Sequence, residues 1–394
     1  MNKKDIANLK KQFKKENDLL HISEIFNVYI MKESSEVYHQ QSRPFNILDQ
    51  DEQELFLANF KKVLTGAIDE KLFELKFQTD CEDPSQLILH QGLLTDNGED
   101  WKAQMLKLVE KMLAEREYDM DIVVTFVKGD YLKPMKKSNT DTEESDRDAV
   151  YSHQFILCSM NKTQDPKKEL LFDYVEKAFK YNVIVDPIIN LTQPIGGFLF
   201  PCFTDNSADV NHILYAAPKA NEPDVEFIDT VLNAEESITA QEDKIIFEEI
   251  VRDAVGHKLN TATLANVYEE INRVVEEQDS EEEIARLDYK DVEQVLKHSG
   301  VEDIDTEKIQ TAFHNVIDDD QYELKAKNIV PKYKSKSIKI NTKIANVAVS
   351  PEDLRHVRQV HFAGKRYLMI EVEEDTIIDG FTMIPELFGE KAEG

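Results

Sequence analysis

The hydrophobic pattern changes period twice along the chain, and this double change is the strongest constraint on its fold. Up to about residue 217, strand-like runs alternate with amphipathic helices. From Val225 to Ile317 helical spacing recurs segment after segment, and beyond Ile329 short β-patterns return. A period of two sends successive side chains to opposite faces of a sheet, whereas a period of 3.6 gathers them on one stripe of a helix. Neither one sheet nor one bundle satisfies both. The sequence therefore predicts an α+β protein with an N-terminal mixed sheet and flanking helices, a middle helical region, and a small C-terminal antiparallel β unit. Its 394 residues also exceed the roughly 250–300 at which a single core stops growing. The expected divisions are 1–217, 222–325 and 328–394, with Ala217–Asp224, which carries two prolines, as the first linker. The last division is basic and ends in an acidic tail.

Within this frame, Ile6, Leu9, Phe13 and Leu20 predict an opening amphipathic helix, its wet side covered by lysine stems. Ile25–Ile30 and Glu36–Tyr38 predict a hairpin. Asp49 and Glu52 predict a capped helix ended by Gly66. Trp101, Met105, Leu108, Val109 and Met112 form the stripe of a further helix. Asp121–Lys128 and Phe155–Met160 read as paired strands, and the acidic Ser138–Ala149 between them, lacking any large apolar residue, as a mobile loop. Leu170–Phe179 and Ala208–Tyr215 read as helices, and the proline-punctuated Val183–Phe203 as buried irregular strands. Further helices are expected at Val225–Leu232, Ala240–Val255, Thr261–Glu277, Tyr289–His298 and Thr306–Ile317. Strands are expected at Ser337–Ile344, Val347–Val349, Val357–Phe362 and Arg366–Val372.

Composition narrows the function. The 77 acidic against 47 basic residues give a formal charge of −30, a field that repels polyanions at long range while leaving room for a local basic face. Three scattered cysteines, Cys81, Cys158 and Cys202, fit a reducing compartment and no zinc framework. The lysine-rich start has no apolar signal core, and no run approaches the ~20 apolar residues of a membrane helix, so a cytoplasmic protein without membrane contact is expected. Phosphate-loop, dinucleotide, nucleophile-elbow and metal-helix motifs are all missing. No cofactor or catalytic residue is implied, although an enzyme assembled from distant carboxylates and histidines stays open.

Two features carry functional candidates. The first is Phe203–His212, where Asp209 and His212 stand three apart and Asp205 or Ser207 supplies a third group. On a helix such neighbours share a metal ion or a proton; the structural alternative is that they cap the helix and bond to backbone. The second is a reversal of charge. Residues 276–327 hold 17 acidic and 6 basic residues. Residues 331–366 hold nine basic ones, Lys332, Lys334, Lys336, Lys339, Lys343, Arg355, Arg358, Lys365 and Arg366, against Glu352 and Asp353. Cations on a strand-rich element suit phosphate contacts. Equally, they discourage edge-to-edge strand pairing or dock the unit on the chain's own acidic helices. Tyr333 is the only aromatic in the lysine run, so no base-stacking platform is indicated.

Several stretches resemble a bacterial family catalogued as a domain of unknown function: MNKKDIANLKKQF at the start, KKVLTG at Lys61–Gly66, LFELKF at Leu72–Phe77, PCFTDNSADVNHILY at Pro201–Tyr215, KANEPD at Lys219–Asp224 and SIKIN at Ser337–Asn341. From about Asp121 the order of elements is also similar to that of the bacterial nucleoid-associated protein family. A hydrophobic hairpin is followed by helices, then by ELKA at Glu323–Ala326, then by a closing antiparallel unit containing SIKINTKI and VHFAGKRYLMIEV. That resemblance implies a binding protein associated with the nucleoid, through DNA or a DNA-acting protein partner. A metal- or small-ligand-binding protein using Asp205, Asp209 and His212, or a structural adaptor in a protein complex, are the alternatives.

Overall fold

Strands buried on both faces need covering layers on both sides, and the first part of the chain supplies them in order. A helix α1 (Lys3–Gln12) precedes the strands β1 (Leu20–Met31) and β2 (Glu36–Pro44). Then come α2 (Gln50–Val63), β3 (Leu72–Lys76), α3 (Ser85–Leu94), α4 (Gly98–Ala114), β4 (Ile122–Pro134) and β5 (Val150–Gln164). A hairpin of β6 (Lys168–Asp173) and β7 (Ala178–Val183) follows, with β8 (Ile188–Ile189), β9 (Gly196–Phe200), β10 (Cys202–Thr204), β11 (Ser207–Asp209) and β12 (His212–Ala216). The computed structural model describes residues 1–32, 36–114, 116–134, 150–164, 168–183, 186–204, 207–256, 259–278, 284–319, 321–330, 332–333, 335–378 and 381–384. It forms two units, Met1–Thr239 and Ala240–Gly394. The expected loop Ser138–Ala149 lies outside the described residues.

The main sheet runs β2-β1-β4-β5-β9-β12-β3, with β8 beside the end of β5. Every pairing in it is antiparallel, where a mixed sheet was expected. Among the described residues, the consecutive pairs β1–β2 and β4–β5 return directly, without the crossover helix that parallel pairing requires. Along β1, Phe26, Val28 and Ile30 face one core with the α3 and α4 side chains Leu89, Leu93, Trp101 and Met105. Ile25 faces a second core with Leu9 of α1, Phe13 just beyond it, and Phe60 and Val63 of α2. The sheet thus lies between two helical layers. The expected linker Ala217–Asp224 belongs to this unit: the Ala217 N–H donates to the Lys71 carbonyl (2.8 Å) and the Asn221 N–H to that of Glu70 (2.6 Å).

Three readings of local structure change. Leu170–Phe179 is the β6–β7 hairpin, not a helix, with Phe172 opposite Phe179 and Leu170 opposite Tyr181. Asp173 nucleates its turn by accepting from the Val175 and Glu176 N–H groups (2.8 and 3.0 Å). Ala208–Tyr215 is strand, turn and strand. Leu20 opens β1 rather than closing the first helix, which ends at Gln12.

In the second unit the helices α5 (Ala240–Val255), α6 (Thr261–Gln278), α7 (Tyr289–His298) and α8 (Thr306–Ile317) enclose a core of Phe247, Ile250, Ile271, Leu296, Ile309 and Phe313. The bridge of β13 (Arg286–Leu287) with β14 (Leu324–Lys325) leads to α9 (Ala326–Ile329). Buried Asp243 accepts from the Tyr322 hydroxyl (2.6 Å) and the Asn328 amide (2.7 Å), tying α5 to this returning chain. Three hairpin-like pairs close the unit: β15 (Ile338–Asn341) with β16 (Asn346–Val349), β17 (Val357–Phe362) with β18 (Lys365–Ile370), and β19 (Ile377–Ile378) with β20 (Phe381–Thr382). Among the described residues, no helix is long and apolar enough to cross a membrane.

At Gly197, opposite Ser159 in the β5–β9 register, a Cβ would collide with the carbonyl oxygen of Cys158 and press on Val63. Gly197→Ala is expected to destabilise the first unit by about 1–3 kcal/mol, as overpacked cores do. Urea unfolding reads this, and an unchanged midpoint would contradict it.

Candidate functional site

The basic C-terminal residues sit where strand alternation puts them. In the β15–β16 pair, Ile338, Ile340 and Val349 pack with Leu354 against Ala265 and Tyr268 of α6. Lys339, between two of these inward residues, is therefore turned to solvent. Arg355 belongs to a single 3-10 turn (Leu354–His356) whose neighbour Leu354 is buried. On the β17–β18 pair Arg358 stands opposite Met369 and Lys365 opposite Phe362, while Arg366 stands opposite His361 on the other face. Lys332, Lys336, Lys339, Lys343, Arg355, Arg358, Lys365 and Arg366 are all exposed. Among the described residues, none of these eight forms an ion pair. Lys334 lies outside the described residues.

Docking on the acidic helix is thus made by apolar side chains rather than by salt bridges. The helix's charge is still felt nearby: burial, aided by Glu269, Glu352 and Glu276 and opposed by Arg355, pushes the Tyr333 phenol up. The cations are not gathered on one plane. Arg358 and Arg366 occupy opposite faces of one hairpin, and exposed Glu371, Glu373, Glu374 and Asp375 follow directly after β18.

The structure brings Asp209 and His212 together, but in a turn between β11 and β12. The His212 ring nitrogen Nδ1 lies 2.7 Å from Asp209 Oδ2, and Asp209 Oδ1 accepts from the Asn211 N–H at 2.9 Å. Both side chains are partly exposed. Ser207 is exposed at the start of β11, and Asp205 lies outside the described residues. Ser207 and Asp209 lie in a strand rather than a helix, so Ser207 is not a helix cap. Among the described residues, no three His, Cys, Asp or Glu side chains converge as a metal site would require. Cys158 and Cys202 are buried free thiols, and burial pushes both up.

One feature escaped the sequence altogether. A cleft of 770 Å³ opens in the first unit where β9 begins and β5 and β12 end, lined by groups from seven separate stretches of chain. No local motif announces such a site. Its only hints were the Gly196-Gly197 pair and the prolines around it.

The anchor of the basic unit has a pH dependence. Burial, aided by Glu248, raises the Tyr268 phenol from 10.0 to about 12. Below pH 10 both folded and unfolded chains keep this proton and the docked ring contributes fully. Between pH 10 and 12 only the unfolded chain ionises, so stability falls by about 2–3 kcal/mol. Thermal unfolding at pH 9 and 11 checks this: Tyr268→Phe should lose less stability than the wild type over that interval.

Comparison with known proteins adds one result. The chain matches no curated protein sequence. A family model described as a domain of unknown function (DUF4317) matches residues 1–381, nearly the whole length and both units. The quoted stretches from the opening MNKKDIANLKKQF to SIKIN all fall within it, and the chain belongs to the DUF4317 family.

Proposed function

We propose that this is a cytoplasmic, non-enzymatic binding protein whose C-terminal β unit contacts the phosphates of DNA and so associates with the nucleoid. One observation carries this reading: eight exposed cations that form no ion pair among the described residues, within about one tenth of an otherwise strongly acidic chain. A cation already neutralised by a neighbouring carboxylate has little to offer a phosphate. A free one releases a condensed counterion when it binds, and this supplies affinity. The apolar side of the β15–β16 pair is committed to α6, so Lys339 and its neighbours are held outward by packing. Such contacts read the backbone and not the bases, and the wide spacing of the charges over two hairpins suits an extended polyanion better than a compact anion. The surrounding negative charge opposes the approach, so binding is expected to be modest and steeply salt-dependent.

Fluorescence anisotropy with a labelled duplex tests the proposal. Binding should be measurable at ~50 mM salt and should fall with a log–log slope of about 0.9 for each phosphate neutralised. Lys336→Glu/Lys339→Glu should weaken it at least about tenfold without changing thermal stability, because both side chains are exposed. Absence of any signal at ~50 mM salt overturns direct contact. A DNA-dependent protein partner would then be sought by affinity capture with and without nuclease.

A further inference from the structure

We infer that the cleft in the first unit is a binding site for a small organic anion, distinct from the C-terminal surface. Its 770 Å³ lies within the roughly 300–1,000 Å³ typical of small-ligand pockets. Charge around it is unusual for this molecule. Of its five cations, Arg116 is held by Asp224, Lys162 by Asp119 at 2.8 Å, and Lys219 by Glu222 at 3.0 Å. The other two have no carboxylate partner among the described residues. The Lys71 ammonium donates to the carbonyl of Pro218 (3.1 Å), and Lys62, at the end of α2, makes no ion pair among the described residues. The lining carboxylate outside any ion pair is exposed Glu117. In a chain of formal charge −30, two uncompensated ammonium groups at one cleft set a local preference for anions.

Beside polar Thr65, Thr192 and Gln193, one part of the lining is apolar. Met160 is buried at the end of β5, and half-buried Ile195 and Pro194 stand beside Gly196 and Gly197, which add no side chains. The ligand is therefore a carboxylate or phosphate carrying an apolar body, with its charge toward Lys62 and Lys71 and its body against Met160 and Ile195. The loop bearing Ile195 is fixed from beneath: the buried Asn59 amide donates to the Leu191 carbonyl (2.8 Å) and to Asn161 Oδ1 (2.7 Å). The Ile195 N–H donates to the Met160 carbonyl (2.8 Å). These bonds form the apolar wall before any ligand arrives, so little ordering is left to binding.

The probe is 8-anilinonaphthalene-1-sulfonate, an aromatic sulfonate whose fluorescence rises on leaving water, titrated into the full chain. Three results are expected. The wild type binds it, and the uncharged N-phenyl-1-naphthylamine binds at least about tenfold more weakly. Lys62→Glu and Lys71→Met each weaken the sulfonate about tenfold while leaving thermal unfolding unchanged; Lys62 is exposed, and methionine keeps most of the Lys71 stem. Ile195→Trp blocks both probes. Equal binding by all variants overturns the proposal, because the dye then sits elsewhere, as on the exposed apolar β6–β7 hairpin. Equal affinity for the charged and uncharged probes overturns it too, because the cleft then recognises only apolar surface. The C-terminal lysines are untouched by these variants, so DNA binding stands or falls separately.

Discussion

The pairing of β4 with β5 sets the terms for the rest of the first unit. The two strands stay in register from Ile122 opposite Lys162 to Pro134 opposite Val150, and their side chains are buried on both faces. Phe126, Ile156 and Cys158 point into one core, and Val127, Phe155 and Leu157 into the other. A sheet with two apolar faces is unstable in water until both are covered, so α1 and α2 on one side and α3 and α4 on the other are obligatory. Close approach of β9 to this pair then demands Gly197, and the strand ends it brings together bound the cleft. The cleft is thus a by-product of sheet geometry whose chemistry was set afterwards by the residues at the strand ends.

Polar groups enter these layers where they fix a connection. Asn59, Ser159 and Asn161 form a buried chain of hydrogen bonds under α2 that also holds the loop after Leu191. On the opposite side the Lys111 ammonium donates to the Asp83 carbonyl, to Ser85 Oγ and to Asn233 Oδ1. This joins α4 to the start of α3 and to the residue ending the wide helical turn Phe227–Leu232. Breaking the first set leaves buried groups unpaired, at a cost of about 1–3 kcal/mol for each group. Such bonds specify one arrangement of loops over a core that apolar contacts alone would hold less selectively.

Much of this architecture was legible because the helices and central strands are long and strongly periodic. Phe247, Ile250 and Val251 of α5, or Trp101, Met105, Leu108 and Met112 of α4, recur at helical spacing and are buried as that spacing requires. The failures have a common cause. In Leu170–Phe179 the apolar residues also fit a helix, but Asp173 bonds its own backbone two and three residues on, and the chain turns back. In Asp209–His212 the same local bonding by Asp209 makes a turn. The pair was still found, since a tight turn and a helix both bring residues three apart into contact. A sequence of ten residues does not distinguish these cases when the deciding partner, here β3 pairing with β12, lies more than 130 positions away.

The charge separation obeys a different logic from the core. The C-terminal unit could have used its lysines and arginines to hold the acidic α6, and such pairs, once exposed, would have contributed at most about 1 kcal/mol each. Instead Leu354, Ile338, Ile340 and Val349 make the contact, and burying that apolar surface stabilises docking at a lower desolvation penalty than charge pairing. An apolar anchor is also indifferent to salt, whereas a contact with phosphate is not. On the reading proposed above, a polyanion would therefore leave as ionic strength rises while the unit stays on its own helix. Dividing the work in this way, with apolar residues inward and cations outward on alternate positions of the same strands, is what a two-stranded element provides at no further structural cost.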